Sequence, residues 1–482
     1  MFLHPHSPSG MAGTGSGLKA SHIVLRWLPP PIRARIDGSE TLRRFLKLAS
    51  WSLVAFALDK AALLAIVFLL ARILGAADYG RLTLAQGAVN TAQIFVVLGS
   101  GTMLARYIPA MREDSVRRAV ELVNLCALVV LSTATIFTIG GLLGAPVIAT
   151  AVLDLPESSI IPYGMVAWVL LTALNSLMLT IMLSFEKGRD MGLVSLVGAL
   201  LTIAVVPVLA VRGGLTGAVM GLVAVEAAKG LLLLTLYRRM IRAEGVAMLT
   251  PVRRGDAPLL WRFGLPVFLN SALWGPTMWL AQLILKTRAP DGLAAVGVFG
   301  FTNSILGAVI LISGLTNRAA LPILSSLDAR GDRQGLWRAT QKMALAQTAI
   351  AALIGLPIAV AAPMITGWAG PEFQASWAVI PIMIAVGVVI AGQTALGNFL
   401  LVRGRPYFIL GTMAVWAAVV LGMTTGLSAY GVFGLVWALF TGAVIRTCAI
   451  GWKSLREARA VSCERGNAQT GAVANTRGRH VN

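Results

Sequence analysis

The amino-acid sequence predicts an all-α integral membrane protein with about 12 transmembrane helices in two parallel six-helix lobes. An apolar composition, a series of long apolar runs and an internal repeat support this prediction. Hydrophobic residues make up 57% of the 482 residues and charged residues 12%, and the mean hydropathy is +0.79. Soluble proteins contain about 25% charged residues. We therefore expect the chain to lie in a lipid bilayer.

The apolar runs predict the individual helices. A helix needs roughly 20 mostly apolar residues to cross the hydrocarbon core, where lipid-exposed irregular backbone is not tolerated. The predicted spans are residues 48–73, 79–101, 120–144, 160–184, 190–211, 215–237, 263–286, 293–317, 342–366, 376–401, 407–427 and 430–452. An even number of spans places both chain ends on the same side of the membrane.

The positive charge of the chain follows this topology. The formal net charge is +20, which by itself is compatible with nucleic-acid binding. If the N-terminus is cytoplasmic, however, most of the 40 Lys and Arg residues fall in cytoplasmic segments. This asymmetry is the positive-inside pattern of membrane proteins. It predicts cytoplasmic termini and gives no support for a nucleic-acid partner.

The two terminal segments are predicted to be disordered cytoplasmic tails. Residues 1–41 are rich in Gly, Pro and Ser and lack the apolar core of a signal peptide, and residues 454–482 are polar. All four histidines lie in these tails, so no His-based catalysis or metal binding is expected within the bilayer. Cys126, Cys448 and Cys463 have unrelated spacings, which indicate neither a disulfide framework nor a metal site.

An internal repeat relates the two halves of the chain. The segments "SFEKGRDMG" (184–192) and "LLVRGRPYF" (400–408) place Gly-Arg pairs 216 positions apart, and both predict a tight cytoplasmic turn formed by the glycine. Other pairs keep a similar offset: Gly214 and Gly431, Gly217 and Gly434, Gly101 and Gly314, Pro109 and Pro322, and Arg44-Phe45 and Arg262-Phe263. A duplicated unit of six helices is a parallel repeat about an axis along the membrane normal. The predicted lobes are residues 42–237 and 263–453, joined by a basic cytoplasmic linker at 238–262.

Four charges lie near the centres of predicted helices, where each costs about 2.5 to 3.5 kcal/mol. Glu226 and Lys229 are three residues apart on one helical face and can pair with each other. Asp59 and Lys60 are adjacent and point about 100° apart, so their partners are expected on other helices. An Asp59–Lys229 or a Lys60–Glu226 pair fits this expectation. Structural pairing and substrate contact both remain open for these residues.

We identify no equivalent charges in the second lobe, but both lobes contain neutral amides at membrane depth. As a set they predict a wet cavity that accepts hydroxyl groups, although single amides often only bond neighbouring helices: Gln86, Asn90, Gln93, Asn175, Asn270, Gln282, Asn303, Gln393 and Asn398. Cations at the two rims are candidates for binding a diphosphate: Arg72, Lys286, Arg288, Arg106, Arg262 and Arg318. Trp274 and Trp279 are expected to line the path, with Pro276 bending their helix.

The whole pattern resembles the polysaccharide flippases of the multidrug/oligosaccharidyl-lipid/polysaccharide exporter superfamily. The resemblance rests on the duplicated lobes, on "RFGLPVFLNSALW" (262–274), on "GLTGAV" and "GVFGLV" at the starts of the sixth and twelfth helices, and on the short basic turns. It covers about residues 42–455. It implies a V-shaped, two-lobed transporter of the bacterial inner membrane that moves an undecaprenyl-diphosphate-linked oligosaccharide to the periplasmic leaflet, as in O-antigen (lipopolysaccharide) and exopolysaccharide synthesis.

The resemblance also implies a cation-lined central cavity, coupling to protons or sodium, and no bound cofactor. A polysaccharide polymerase and chain-length proteins are candidate protein partners. The candidate substrate-binding residues in this chain are Lys60, Lys229, Asp59, Glu226, Asn90, Gln282, Arg72 and Lys286.

Two alternatives remain open. A drug or cation exporter of the same superfamily would use carboxylates such as Asp59 and Glu226. A membrane polysaccharide polymerase or ligase would need a sizeable outer domain, whereas the longest predicted outer loop, about 145–159, carries only Asp154 and Glu157 as charged residues.

Overall fold

The computed structural model describes the backbone of residues 40–247, 250 and 265–478. Side chains are described for residues 62, 64–101, 103–109, 111–112, 114–247, 250, 268–310 and 324–458. Most of the segment between the predicted lobes, including residues 251–264, lies outside the described part. The statements that follow concern the described residues.

All regular secondary structure in the described residues is helical. In chain order the helices are α1 (Glu40–Val97), α2 (Ser100–Asp114), α3 (Val116–Leu143), α4 (Ile161–Ser184), α5 (Gly188–Ala243), α6 (Leu265–Arg288), α7 (Gly292–Ala329), α8 (Arg333–Val360), α9 (Ala362–Ala369), α10 (Pro371–Gln374), α11 (Val379–Val402), α12 (Pro406–Gly426) and α13 (Val432–Gly478). Short helical turns at Ala145–Val147, Ile148–Val152 and Ser428–Tyr430 complete the connections.

Two of these helices are each divided by glycine into two arms. Gly75 interrupts α1 with a left-handed conformation (φ 72°), and Gly213 and Gly214 interrupt α5. These glycines divide α1 and α5 into two arms each, which correspond to the predicted spans 48–73, 79–101, 190–211 and 215–237. Eight helical stretches of the described part are long and apolar enough to span a membrane, with α5 counted once. The chain is therefore an all-α multi-pass membrane protein, as predicted.

The backbone has the same geometry at two glycines that the predicted repeat pairs. Gly214 (φ 54°, ψ −135°) and Gly431 (φ 58°, ψ −134°) share one unusual conformation just before the second arm of α5 and before α13. A side chain is disfavoured in this region, because a Cβ atom collides with the backbone when φ is positive. The shared geometry explains why glycine precedes both the second arm of α5 and α13.

The predicted cytoplasmic turns are equivalent, but one predicted glycine role is wrong. Glu186, not Gly188, is the left-handed residue (φ 59°) after α4, and Gly404 (φ 71°) is its counterpart after α11. In both turns the next amide reaches back five residues, from Lys187 to the Met182 oxygen and from Arg405 to the Leu400 oxygen. This is the Schellman ending of a helix. Equivalent residues of the two halves, Glu186 and Gly404, are therefore 218 positions apart at this turn. Gly188 is instead the first residue of α5.

Some helix ends differ from the prediction. The helix predicted at 342–366 is α8, which begins at Arg333 and ends at Val360. Asp332 explains the early start, because its carboxylate accepts a hydrogen bond from the Gly335 amide (2.9 Å) and caps the helix. The hydropathy pattern missed this start because the first turns of α8 are polar.

Each lobe packs mainly within itself, and one helix joins them. In the first half α1 packs against α4 and α5, and in the second half α11 packs against α7, α8 and α13. Between the halves, α1 packs along α6 and α7. The interface between lobes is therefore formed mainly by α1 on one side and by α6 and α7 on the other.

Candidate functional site

We call the end of the molecule that holds Gly75 the loop end, and the opposite end, where α1 begins and α13 ends, the tail end. At the loop end the two lobes are in backbone contact. A Cβ atom on Gly80 of α1 would overlap the Leu293 carbonyl of α7, and a Cβ atom on Gly297 would overlap the Ala76 carbonyl. Glycine at both positions allows this close approach.

Two polar links across the lobes lie next to this contact. Glu372 Oε2 accepts a hydrogen bond from the Ala76 amide (2.5 Å), at the N-terminus of the second arm of α1. Lys286 Nζ bonds Asp154 Oδ1 (2.6 Å) and the Ala151 carbonyl (2.9 Å) in the loop of the first lobe. A carboxylate at a helix N-terminus interacts favourably with the helix dipole. Both links stabilise closure of the loop end.

Substituting Glu372→Gln is expected to weaken this closure. The amide keeps an oxygen acceptor but loses the negative charge at the helix N-terminus, a difference of about 1 kcal/mol or about fivefold in the closed population. The measurement is the labelling of an Asn90→Cys reporter from the tail end with a membrane-impermeant maleimide in a background lacking other cysteines, and we expect slower labelling.

Glu157→Gln is the matched control, because Glu157 is an exposed loop-end carboxylate for which the described part shows no partner. Equal labelling rates in the Glu372 and Glu157 variants would show that the Glu372 link does not hold the loop end closed.

A cleft opens between α1 and α7 below this closed end. Next to the closed end the two helices still touch, because a Cβ atom on Gly300 of α7 would overlap the Thr83 side chain of α1. One to two turns further towards the tail end, Gln86 and Asn90 of the same α1 stripe are exposed, and a Cβ atom on Gly307 of α7 would meet nothing within 4 Å. The described part of the cleft is thus closed at the loop end and open at the level of Asn90 and Gly307.

A continuous seam between α1 and α6 bounds the cleft on one side. Gly87 packs against Trp279 and Gln282, and Phe95 meets Phe268 at 5.5 Å nearer the tail end. The predicted candidate Gln282 is 6% exposed, and its Oε1 is buried with no hydrogen-bond partner in the described structure. It therefore lies in the lobe interface itself.

The two tryptophans predicted to line the path differ in position. The indole nitrogen of Trp279 is buried in the seam, and no described residue hydrogen-bonds it. Trp274 is 40% exposed and stacks on Trp416 of α12 at 4.7 Å. Trp274 is therefore the more exposed of the two, and the indole N–H of Trp279 is directed into the seam.

A small, mostly apolar pocket with a few polar groups on its wall lies where the seam meets the tail half of the molecule. Its volume is ≈ 230 Å³, and both lobes line it. The polar contributions come from Gln93 and Ser176 of the first lobe and Ser271 of the second, beside the bare backbone at Gly99 and Gly101. The amide of Gln93 also reaches the Thr172 carbonyl (3.4 Å). Hydroxyl and amide groups are thus available at the lobe interface.

The predicted Glu226–Lys229 pair is confirmed. Lys229 Nζ lies 2.7 Å from Glu226 Oε1, and Asn175 Nδ2 donates to Glu226 Oε2 (2.7 Å) and to its backbone carbonyl (2.9 Å). The stem of Lys229 packs on Gly198. Every described contact of this cluster comes from the first lobe, so the lysine charge is compensated locally.

The remaining candidates are scattered. The side chains of Asp59 and Lys60 lie outside the described residues, so their predicted partners stay predictions. Asn90 is exposed in the cleft, and Arg72 is exposed near the loop end without a described partner. Lys286 holds the loop-end link described above. The structure therefore brings together Glu226 and Lys229, and it separates them from the other described candidates.

The prediction that the second lobe has no equivalent charge is wrong. Arg446 of α13 lies 217 positions after Lys229, and each residue follows the first residue of its pass, Val432 or Leu215, by 14 positions. The oxygen and nitrogen of the Gln393 amide are assigned from the surrounding hydrogen bonds. The oxygen accepts from Arg446 Nε and Nη1 (3.2 Å each), and the nitrogen donates to Thr447 Oγ1 (3.1 Å). Applying the repeat offset to Lys229 would have found this arginine.

Comparison with known proteins gives a family and a fold. The family model described as "polysaccharide biosynthesis protein" matches residues 45–328, more than half of the chain. A search of curated proteins finds no significant match.

Solved structures similar to this chain are MATE and other MOP-superfamily transporters. An inward-facing multidrug resistance MATE transporter of the MOP superfamily has a TM-score of 0.70 at 14% identity, covering 86% of this chain and 99% of that one. A MOP-superfamily transporter from Pyrococcus furiosus with a binding pocket of reverse polarity has a TM-score of 0.61 at 13% identity, covering 86% and 96%. A eukaryotic MATE transporter gives 0.62 at 15% identity, covering 87% and 99%.

Proposed function

Because this chain belongs to the family of polysaccharide biosynthesis proteins and has the fold of MOP-superfamily transporters, we propose that it translocates an undecaprenyl-diphosphate-linked oligosaccharide across the bacterial inner membrane. Translocation proceeds by alternating access: the glycan and its diphosphate enter the cleft from the tail end, the lobes rock, and the loop end opens. The isoprenoid chain stays in the bilayer, because apolar carbon crosses the hydrocarbon without a polar barrier.

The row of amide and hydroxyl side chains on the described cleft wall is the observation that carries this proposal. The stripe Gln86, Asn90 and Gln93 follows the closed contact on α1, and Ser271 faces it from α6. Neutral amides and hydroxyls both donate and accept hydrogen bonds, which matches the hydroxyl groups of a sugar.

The charge distribution supports the direction of loading. The basic segments that follow the positive-inside pattern lie at the tail end, so the tail end faces the cytoplasm in this proposal. In the described residues the cleft is closed at the loop end and open below it. This state can accept a glycan assembled in the cytoplasm.

A drug or cation exporter is the second candidate, and the local chemistry of Glu226 argues against it. An organic cation needs an accessible carboxylate, whereas Glu226 is occupied by Lys229 and Asn175. Asp59, the other carboxylate considered, lies outside the described side chains. Family and fold both indicate a transporter, so we propose no polymerase or ligase reaction.

Deletion of the gene tests the proposed substrate. We expect lipid-linked repeat units to accumulate in the cytoplasmic leaflet of the deletion strain, and plasmid-borne protein to restore surface polysaccharide. A strain lacking only the polymerase is the control, since it should still display single units outside. Normal surface polysaccharide in the deletion strain, together with increased drug sensitivity, would replace the proposal with the exporter.

A further inference from the structure

Arg446 carries a charge that no carboxylate compensates in the described structure. Its described hydrogen-bond partner is the neutral oxygen of Gln393, and the described ion pairs do not include it. A cation at membrane depth costs about 2.5 to 3.5 kcal/mol even on insertion scales. The expected outcome for such a residue is pairing, and its counterpart Lys229 is paired.

The repeat shows which residue is missing. Glu226, the partner of Lys229, lies 217 positions before Ala443, three residues ahead of Arg446 on the same face of α13. Asn175, which also bonds Glu226, corresponds to Gln393 at the 218 offset found in the neighbouring turn. Both lobes thus hold a cation and an amide at matching positions. Only the first lobe also holds the carboxylate.

The position of Arg446 excludes a lipid-facing role. Leu439, Ala443 and Ile450 lie on the same side of α13 as Arg446, and all three are buried. The exposed, lipid-facing side of the helix carries Trp437, Ile445 and Trp452 instead. The partly exposed guanidinium therefore points into the lobe, where α13 packs closely on α11 and α12 but only sparsely on the cleft-lining α6 and α7.

The depth of Arg446 matches that of the open cleft. Fourteen residues separate Arg446 from Val432 at the loop end, and 14 separate Asn90 from Ala76. At 1.5 Å per residue both lie about 21 Å from that end. The uncompensated charge is therefore level with the part of the cleft that is open.

We infer that Arg446, held by Gln393, is the anion-binding group of the second lobe and that it receives the diphosphate of the lipid-linked substrate. This inference rests on the proposed function for the identity of the anion. The guanidinium has five N–H donors in a planar fork. Two of them, on Nε and Nη1, donate to the Gln393 oxygen, and the others are available to phosphate oxygens. Because Glu226 neutralises Lys229, Lys229 does not contribute a further positive charge to this anion site.

The test measures binding of farnesyl diphosphate to the full-length protein in nanodiscs, with farnesyl monophosphate and inorganic pyrophosphate as separate arms. Arg446→Gln removes the charge and is expected to weaken diphosphate binding at least about tenfold, because charge-assisted hydrogen bonds to phosphate are lost. Arg446→Lys keeps the charge without the fork, and we expect an intermediate affinity. Pyrophosphate competition would show that the headgroup alone is recognised.

Lys453→Gln is the matched control. It removes a charge from the same helix two turns further on, where Lys453 already pairs with Glu457 (3.5 Å), so we expect unchanged binding. Equal affinities of the wild type and Arg446→Gln, or equal losses in Arg446→Gln and Lys453→Gln, would overturn the inference. So would absence of diphosphate binding by the wild type.

A parallel flipping assay separates this inference from the proposed function. If the wild type binds farnesyl diphosphate through Arg446 but translocates no lipid-linked oligosaccharide in proteoliposomes, the anion site stands and the proposed function fails. If translocation occurs and Arg446→Gln leaves binding unchanged, the proposed function stands and the inference fails.

Discussion

A valine in place of Gly297 is expected to abolish transport by preventing closure of the loop end. The added side chain would occupy the position of the Ala76 carbonyl in the opposite lobe. Overpacking of a tight contact costs about 1 to 3 kcal/mol, which lowers the population of the tail-open state about five- to 150-fold. The measurement pairs transport with maleimide labelling of Asn90→Cys from the tail end, and both should fall.

Gly307→Val is the matched control for this prediction. It places the same side chain on the same helix ten residues further on, where nothing lies within 4 Å of a Cβ atom. We expect tail-end labelling close to that of the parent protein. If Gly297→Val and Gly307→Val label equally fast, the backbone contact at the loop end does not govern the opening of the cleft.

Replacing Lys229 by glutamine is expected to destabilise the first lobe. The change leaves the Glu226 carboxylate without its cation at membrane depth, a loss of about 3 kcal/mol. The measurement is the free energy of unfolding of the purified protein in detergent, supported by the protein level in membranes. A lower stability is expected even though Asn175 continues to donate to Glu226.

The double variant Lys229→Gln with Glu226→Gln distinguishes pairing from other causes. Removing both charges leaves two amides beside Asn175, and neutral groups cost far less to bury than a single ion. We expect the double variant to be more stable than Lys229→Gln alone. If the double variant is instead the less stable one, the two residues do not stabilise each other through their charges.

The helices of this protein could be predicted from sequence because hydropathy determines them directly. The runs at 120–144 and 160–184 correspond closely to Val116–Leu143 and Ile161–Ser184. The start of α8 could not be predicted in this way, since it depends on the hydrogen bond from Gly335 to Asp332 rather than on apolar residues. The N-cap hydrogen bond, which hydropathy does not describe, determines where this helix begins.

The site was only partly predictable, for two reasons. The Glu226–Lys229 pair follows from helical spacing alone, and it was found. The loop-end contact of Gly80 with α7 joins residues more than 200 positions apart, and hydropathy contains no signal for such a contact. Arg446 was predictable in principle. Arginine near the end of an apolar run is ordinarily a cytoplasmic flank, and only the repeat offset from Lys229 distinguishes Arg446.

The measurement that tests the central claim most directly is translocation of a lipid-linked oligosaccharide by protein whose loop end is reversibly locked. Asp154→Cys and Lys286→Cys, in a background lacking other cysteines, replace an ion pair of 2.6 Å that joins the lobes, and a short bifunctional methanethiosulfonate can bridge them. We predict that the bridged protein in proteoliposomes translocates no substrate and that reduction restores the unbridged rate. Unchanged translocation by the bridged protein would contradict alternating access through this cleft.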